Sequence, residues 1–514
     1  MLLRREPVVD RGYLLGFAGL AVFYCLIAGW MAPADDELYY WCWAEHLQLS
    51  YYDHPPMTAY LIRASTEVFG DTLFAVRFPA LVASLFVLAV IGWLSRPRHL
   101  LAWVVFTPLY TFGGVINTPD TPLLLFWAAY LAWLVVAHQR LSGPPSETTG
   151  TVNADDETAP KTRAGSIPFW LWTIGGVILG CGMLSKYTTG LLVPAGFLTF
   201  LLSGKSWRTW VPGYIYHGVV SSVVFTPVIL FNWKYDFAPI RYQWGHAMAT
   251  DDSGFQPFGE FVGVQLLLFG TLPFILFPWV LWNFRRLAAD PRLRVCACLY
   301  AAPFGFFLYK ALRGPLEGNW ALACYIAFWP LAAHWYEGVR GSIRWRVFSY
   351  ATFMIPATCV VLVIVHLIHP VGLLPSANDR ITRQFVINDV MREAAEAVKA
   401  RGDGLPVYTV SYQTTSFLRF YGADARQIEG VTRPSHFTMT PEHLTDVDRA
   451  YVFFEGPLPE EFASGFDPPQ IIKNFPIVVR GDLYSYYQLL LYTRHKPQVA
   501  KPETTGCAVV ADRP

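Results

Sequence analysis

The sequence predicts a polytopic α-helical membrane protein with about eleven transmembrane helices, followed by a small C-terminal α/β domain. Three observations predict it. The composition is 54% hydrophobic and only 15% charged, with a mean hydropathy of +0.32, whereas soluble domains average about 25% charged residues. Apolar runs long enough to cross a bilayer recur as far as about residue 370. Beyond that point the chain is richer in charge and breaks into short strand-like runs. The same figures exclude a disordered or fibrous chain. A net charge of +1 supplies no basic field for nucleic acid. Eight cysteines in 514 residues are too sparse for a disulfide scaffold. Cys25, Cys181, Cys296, Cys298, Cys324 and Cys359 lie in apolar runs and read as small packing residues.

In order, the candidate spans cover residues 13–32, 78–95, 100–118, 121–138, 168–185, 187–203, 209–231, 260–283, 295–312, 319–336 and 347–368. Several carry Gly or Pro, which membrane helices tolerate. The first is too long for a removable signal and lacks a small-residue cleavage pattern. Lys and Arg then set the orientation. With the N-terminus cytoplasmic, that side collects Arg4, Arg5, Arg11, Arg96, Arg98, Arg140, Lys161, Arg163, Lys205, Arg208, Arg285, Arg286, Arg292, Arg294, Arg340, Arg344 and Arg346. The opposite loops hold only Arg63, Arg77, Lys186, Lys234, Arg241 and Arg313. The N-terminus is therefore expected inside and, after eleven spans, the C-terminal domain outside.

The expected division is a membrane domain, 1–369, with outer loops at 33–77 and 232–259, and a soluble domain, 370–514. In the latter, a helical stretch, Asn388–Ala400, precedes strand-like Val407–Val410, Tyr451–Phe454 and Ile471–Val479. Residues 141–166, rich in Ser, Thr, Pro and Gly, read as a flexible cytoplasmic loop. No Walker A or dinucleotide glycine signature is present, so ATP-driven transport and nucleotide cofactors lack support.

Charge near a bilayer is costly unless paired or functional, so the few outer-side ionisable residues carry the information. The first outer loop opens Pro33-Ala34-Asp35-Asp36-Glu37-Leu38-Tyr39-Tyr40-Trp41 and continues to Tyr51-Tyr52-Asp53-His54-Pro55-Pro56. Acids after Pro33 can simply favour a helix N-terminus. A carboxylate there can equally deprotonate an acceptor hydroxyl. Tyr40 and its aromatic neighbours suit an interfacial belt or stacking on a sugar. In the short second loop, Asp120 either caps the next helix or faces the same cavity as a second acid. Lys186 interrupts two apolar runs at the outer end of span five. It can snorkel to the interface or meet a phosphate as a point charge. Arg241, with Trp233, Lys234, Tyr242, Trp244 and His246, adds cationic and aromatic character in the 232–259 loop. Arg313 and Glu317 can form an ion pair just before Asn319-Trp320. His366 and His369 have no Cys or Glu nearby to complete a metal set.

The stretch Asp35–Pro56 resembles the first luminal loop of GT-C glycosyltransferases that use polyprenyl-phosphate sugars. More narrowly, it is similar to bacterial relatives of protein O-mannosyltransferases and of the lipid A aminoarabinose and galacturonic acid transferases. The likeness extends through Arg77-Phe78-Pro79, Thr118-Pro119-Asp120, Leu184-Ser185-Lys186-Tyr187, Phe231-Asn232-Trp233 and Glu317-Gly318-Asn319-Trp320. It is only loose in the C-terminal domain, at Val410-Ser411-Tyr412-Gln413 and Phe420-Tyr421.

The resemblance implies a catalytic set of Asp36, Glu37 and Asp120. Asp36 is the catalytic carboxylate, with Asp35 the alternative, and Glu37 is a neighbour shaping a hydrogen-bond network. Lys186 falls where relatives place a lysine on the carrier phosphate. Arg241, His54, Tyr40, Glu317 and Asn319 complete the expected substrate-binding set, His54 standing where the aminoarabinose transferases carry a lysine.

The implied protein is an inverting hexosyl- or pentosyltransferase of the bacterial inner membrane, monomeric, with its C-terminal domain periplasmic. Its donor is a polyprenyl-phosphate-linked sugar held among membrane lipids. Its acceptor is lipid A, a polysaccharide or a protein. No cofactor is required; a divalent metal is compatible with the acids, but their spacing forms no recognisable ligand set. The competing class is a transporter or lipid flippase without transferase activity, which needs charged residues in mid-span, and almost none are found.

Overall fold

Helices occupy the apolar runs, because a chain in lipid satisfies its backbone polar groups within each segment. The computed structural model describes residues 11–95, 103–104, 107–142, 165–248, 255–372, 375–439, 443–456 and 458–495. Most of the expected flexible loop at 141–166, and part of the run at 100–118, lie outside the described residues.

Helix α1 (Arg11–Trp30) ends before Pro33, and α2 (Asp35–Glu45) leaves at 84° to it. Helices α3 (Met57–Phe69) and α4 (Leu73–Ser95) follow, then α5 (Asp120–Ser142), α6 (Phe169–Met183), α7 (Leu192–Leu201), α8 (Val211–Lys234) and α9 (Ala238–Met248). The run expected as one span at 260–283 is two helices, α10 (Gln256–Phe269) and α11 (Leu272–Trp282), bent by 101°. Gly270 makes the corner at φ +73°, where a Cβ would sit 2.1 Å from the carbonyl oxygen of Thr352. Only glycine meets both demands. After a single turn, Phe284–Leu287, the longer helices of this region are α12 (Pro291–Ala311), α13 (Cys324–Val339), α14 (Ile343–Ala351) and α15 (Met354–Ile368).

Among the described residues, four helical segments are long and apolar enough to cross a membrane singly: Leu73–Ser95, Asp120–Ser142, Val211–Lys234 and Ile343–Ile368. The two bent pairs raise that number to six. The chain is a multi-pass membrane protein. Its apolar core gathers on α4, α5, α12 and α13, where Trp127, Tyr130, Tyr300, Tyr325 and Trp329 are fully buried. Small residues let other helices approach closely: a Cβ on Gly176 or Gly180 of α6 would meet Val220 or Val224 of α8 at 2.7 and 2.5 Å. The cysteines of the apolar runs are free thiols, Cys296, Cys298 and Cys324 being buried.

The chain divides into two compact units, Met1–Asn388 and Asp389–Pro514, the division falling within α16 (Arg380–Arg401). The second unit is α/β. Its sheet has the order β2-β1-β3-β5-β4, built from β1 (Val407–Thr409), β2 (Ala425–Gln427), β3 (Arg449–Phe454), β4 (Gln470–Val479) and β5 (Asp482–Thr493). Strand β1 is parallel to β2 and β3, with α17 (Tyr412–Phe420) crossing from β1 to β2. Strand β5 runs antiparallel to β3 and β4. Tyr408, Val452 and Leu490 form part of its core.

Candidate active site

The site is built where helix ends meet loops. After α1 ends, Pro33 redirects the chain and α2 opens with three acids in its first turn. Helical geometry turns each successive side chain by about 100°, so the three meet different surroundings. Asp35 is exposed, and its Oδ1 accepts from Gln384 Nε2 at 2.8 Å. Asp36 is half-buried. Glu37 is fully buried. Its Oε2 accepts the Ala34 N–H at 2.9 Å, a back-reaching cap of the helix N-terminus. Its Oε1 accepts the Asn117 N–H at 2.9 Å, and Arg77 donates to both oxygens at 2.7–3.3 Å. Grouped by sequence with the catalytic acids, Glu37 is closed off from any substrate. Its geometry is that of a structural counter-ion to Arg77.

The second acid lies three residues after Asn117, at the first position of α5. Asp120 is buried, and its two oxygens have different partners. Oδ1 accepts from Lys186 Nζ at 2.7 Å, and Oδ2 from Asn319 Nδ2 at 2.6 Å. Lys186 precedes a one-turn 3-10 helix, Tyr187–Leu191, in the break between α6 and α7. Both side chains of the ion pair are about nine-tenths buried, so the pair is weakly screened by solvent. Beside it lies a cavity of about 200 Å³, lined by Ala83, Ile116, Leu124 and Leu322 as well as Asp120 and Asn319. The Asp120 carboxylate, paired with buried Lys186, thus lines a largely apolar space together with the polar Ser84, Thr118, Thr121 and Asn319.

The rest of the first loop wraps next to this junction. Tyr39 donates to Asp53 Oδ2 at 2.5 Å, and both residues are buried. Tyr51 stacks on Trp43 at 4.3 Å and donates to its carbonyl at 2.9 Å; burial pushes the Tyr51 phenol well above its ordinary value. Tyr40 is buried with its ring centroid 6.3 Å from that of His54. The Met57 N–H donates to the Leu184 carbonyl at 3.0 Å, which lays the end of the His54 loop against the Lys186 turn. Helix α9 closes over the same loop, with Gln243 donating to the Asp53 carbonyl and Tyr242 4.9 Å from Tyr52.

The structure therefore joins Asp120, Lys186 and Asn319 directly, and sets Tyr40 beside His54. It does not bring in Arg241 or Glu317, which are exposed; neither the Arg241 guanidinium nor the Glu317 carboxylate has a partner among the described residues. Sequence reasoning assigned no role to Asp53 or Asn117, and named Arg77 only as an outer-side charge and as part of the Arg77-Phe78-Pro79 likeness. An arginine entering an apolar run was the available signal for the last. Among the described residues, no group of three or more His, Cys, Asp or Glu side chains could hold a metal ion.

Known proteins resemble this chain in sequence and in fold. The family described as dolichyl-phosphate-mannose-protein mannosyltransferase matches residues 53–143. A lipid A galacturonosyltransferase, RgtD of Rhizobium johnstonii, is 25% identical over 393 residues, covering 72% of this chain and 74% of RgtD. ArnT from Cupriavidus metallidurans, solved in the apo state, superposes with a TM-score of 0.60 at 14% identity, covering 93% of this chain and 98% of ArnT. The chain shares the fold of ArnT, and the family and the relative that match its sequence are glycosyltransferases. The ArnT structure bound to undecaprenyl phosphate is equally similar, with a TM-score of 0.60 at 13% identity and coverage of 94% and 98%. The family match begins at Asp53 and includes both Arg77 and Asp120.

Proposed function

We propose that this chain transfers a hexosyl or pentosyl group, with inversion, from a polyprenyl-phosphate carrier to lipid A on the outer face of the bacterial inner membrane. A galacturonosyl group is the first to test, from the likeness to RgtD. One observation carries the reading: the buried Lys186–Asp120 pair, whose carboxylate lines a largely apolar cavity. A phosphorylated lipid needs that combination of a cation with an apolar wall.

In the proposed step the acceptor hydroxyl oxygen attacks the anomeric carbon opposite the phosphate. The bond from that carbon to the phosphate oxygen breaks, and polyprenyl phosphate leaves with the electron pair. The acceptor proton passes to Asp36, the half-buried acid of α2. Lys186 offsets the charge growing on the phosphate. Asp120, itself held by Asn319, holds Lys186 until the donor arrives. The carrier supplies its own leaving group, so no nucleotide is needed, and no metal is required where the ammonium meets the phosphate. The topology proposed with this reading is eleven spans, a cytoplasmic N-terminus and a periplasmic C-terminal domain.

Mass spectrometry of lipid A, polysaccharide and secreted protein from a deletion strain tests the proposal. We expect one sugar mass missing from lipid A, restored by the wild-type gene and not by Asp36→Asn at equal membrane abundance. Restoration by that variant overturns the assignment of Asp36. A mass missing from protein alone overturns the lipid acceptor, and lipid flux without any sugar transfer revives the flippase.

A further inference from the structure

We infer that Arg77 is a positioning residue for the transfer reaction, setting the loop that carries Asp36 against the loop that carries Asp120. The inference rests on the proposed role of those acids.

Arg77 is fully buried on α4, and all five of its N–H donors are used. Nη1 donates to the carbonyls of Ala28 and Met31 at 2.9 and 2.7 Å. Nη2 donates to the Ala32 carbonyl at 2.9 Å and to Glu37 Oε2 at 2.7 Å, while Nε bridges both Glu37 oxygens. The three carbonyls lie at the C-terminal end of α1, where the helix leaves acceptors without intrahelical partners. Glu37 is equally committed, because beyond Arg77 it accepts the N–H groups of Ala34 and Asn117. The Asn117 amide then returns to α4, its Nδ2 donating to the Val76 carbonyl at 2.6 Å.

One guanidinium and one carboxylate thus tie four pieces of chain together: the end of α1, the start of α2, the start of α4 and the loop before α5. Asp36 is the residue before Glu37, and Asp120 lies three residues beyond Asn117. Arg77 acts on these acids through Glu37, which it bonds, and through Asn117, which Glu37 bonds in turn. Stability alone does not call for an arginine here, since buried ion pairs are often replaceable by apolar packing. What the planar fork adds is direction, with five donors at fixed angles. A lysine offers three donors from one point and cannot span the same acceptors. Asp120 has separate holds on Lys186 and Asn319, so loosening the Arg77 cluster displaces Asp36 more than it disturbs the ammonium proposed to bind phosphate.

The test is steady-state transfer by purified full-length protein, wild type, Arg77→Lys, Glu37→Asp and Asp36→Asn, with binding of undecaprenyl phosphate measured in parallel. Misplacing a reacting group by about 1 Å costs on the order of 100-fold in rate. We expect kcat to fall about 100-fold in Arg77→Lys, with KM for the donor and undecaprenyl phosphate binding within about threefold of wild type. Glu37→Asp keeps the charge but shortens the reach to Asn117, and is expected to show the same split if Arg77→Lys does not fold. Either variant, folded and with wild-type kcat, overturns the inference while Asp36→Asn is inactive. Parallel loss of kcat and of phosphate binding also overturns it, by reducing Arg77 to a structural role. Full activity of Asp36→Asn instead overturns the assignment of Asp36 on which the inference rests.

Discussion

Replacing Asp120 by asparagine removes a charge without removing an atom, and its consequences run in opposite directions for stability and for ligand binding. The wild-type carboxylate lies 2.7 Å from Lys186 Nζ, with both side chains about nine-tenths buried. Breaking one side of such a pair costs about 3–5 kcal/mol, because the remaining charge stays buried without a counter-ion. The new amide keeps the contact from Asn319, whose Nδ2 already donates to the other oxygen, but it cannot neutralise the ammonium. The ligand-free variant should therefore melt lower. A phosphate monoester entering the cavity supplies the missing anion and recovers part of that cost. In the wild type the same phosphate must compete with Asp120 for Lys186. Recovery of about 3 kcal/mol corresponds to about 100-fold tighter binding, an upper bound for undecaprenyl phosphate in Asp120→Asn. The assay is thermal unfolding in detergent across a titration of undecaprenyl phosphate, wild type beside variant. A larger ligand-induced Tm shift in the variant is the expected result. A folded variant that binds the phosphate no better than wild type would refute the competition, and with it the role of Lys186 as the phosphate contact.

Other outcomes follow from single features. Burial lowers the His436 imidazole from its usual value to about 4, so the unfolded chain binds the proton first as pH falls. That contribution to the stability of the C-terminal unit is complete above about pH 6.5 and is lost as pH falls toward about 4. The loss amounts to roughly 1–2 kcal/mol at pH 5. Hydrogen exchange of β1 and β2 in the full chain, corrected for intrinsic rate, should accelerate over this range in wild type and not in His436→Gln. Gly270→Ala places a Cβ 2.1 Å from the Thr352 carbonyl oxygen at positive φ. A loss of about 3 kcal/mol is expected, read as a lower Tm, and an unchanged Tm contradicts the tight corner between α10 and α11. Sugar transfer is expected to persist in excess EDTA; loss of transfer, restored by a divalent cation, contradicts the metal-free reading.

The spans were legible because a bilayer demands a local pattern, about 20 apolar residues in a row, which any window of sequence displays. The acids after Pro33 and the lysine between two apolar runs were legible for the complementary reason, since charge stands out where it is costly. The need for glycine at the Gly270 bend was not, because the carbonyl that excludes a side chain there belongs to Thr352, 82 residues away. Strand β2, Ala-Arg-Gln, has no apolar alternation at all and exists through its register with β1. Likewise Asp35, Asp36 and Glu37 are three equivalent carboxylates on paper. Arg77 distinguishes them by drawing Glu37 inside, 40 residues from its own place in the chain. Lys186 and Asp120, 66 residues apart, were each read as facing a substrate, and the fold shows that they face each other. Hydrophobic length is a property of consecutive residues and is written in the sequence. Which buried charge meets which depends on how helices far apart in the chain are packed, because a desolvated ion is settled only by the counter-charge and hydrogen bonds that tertiary structure delivers to it.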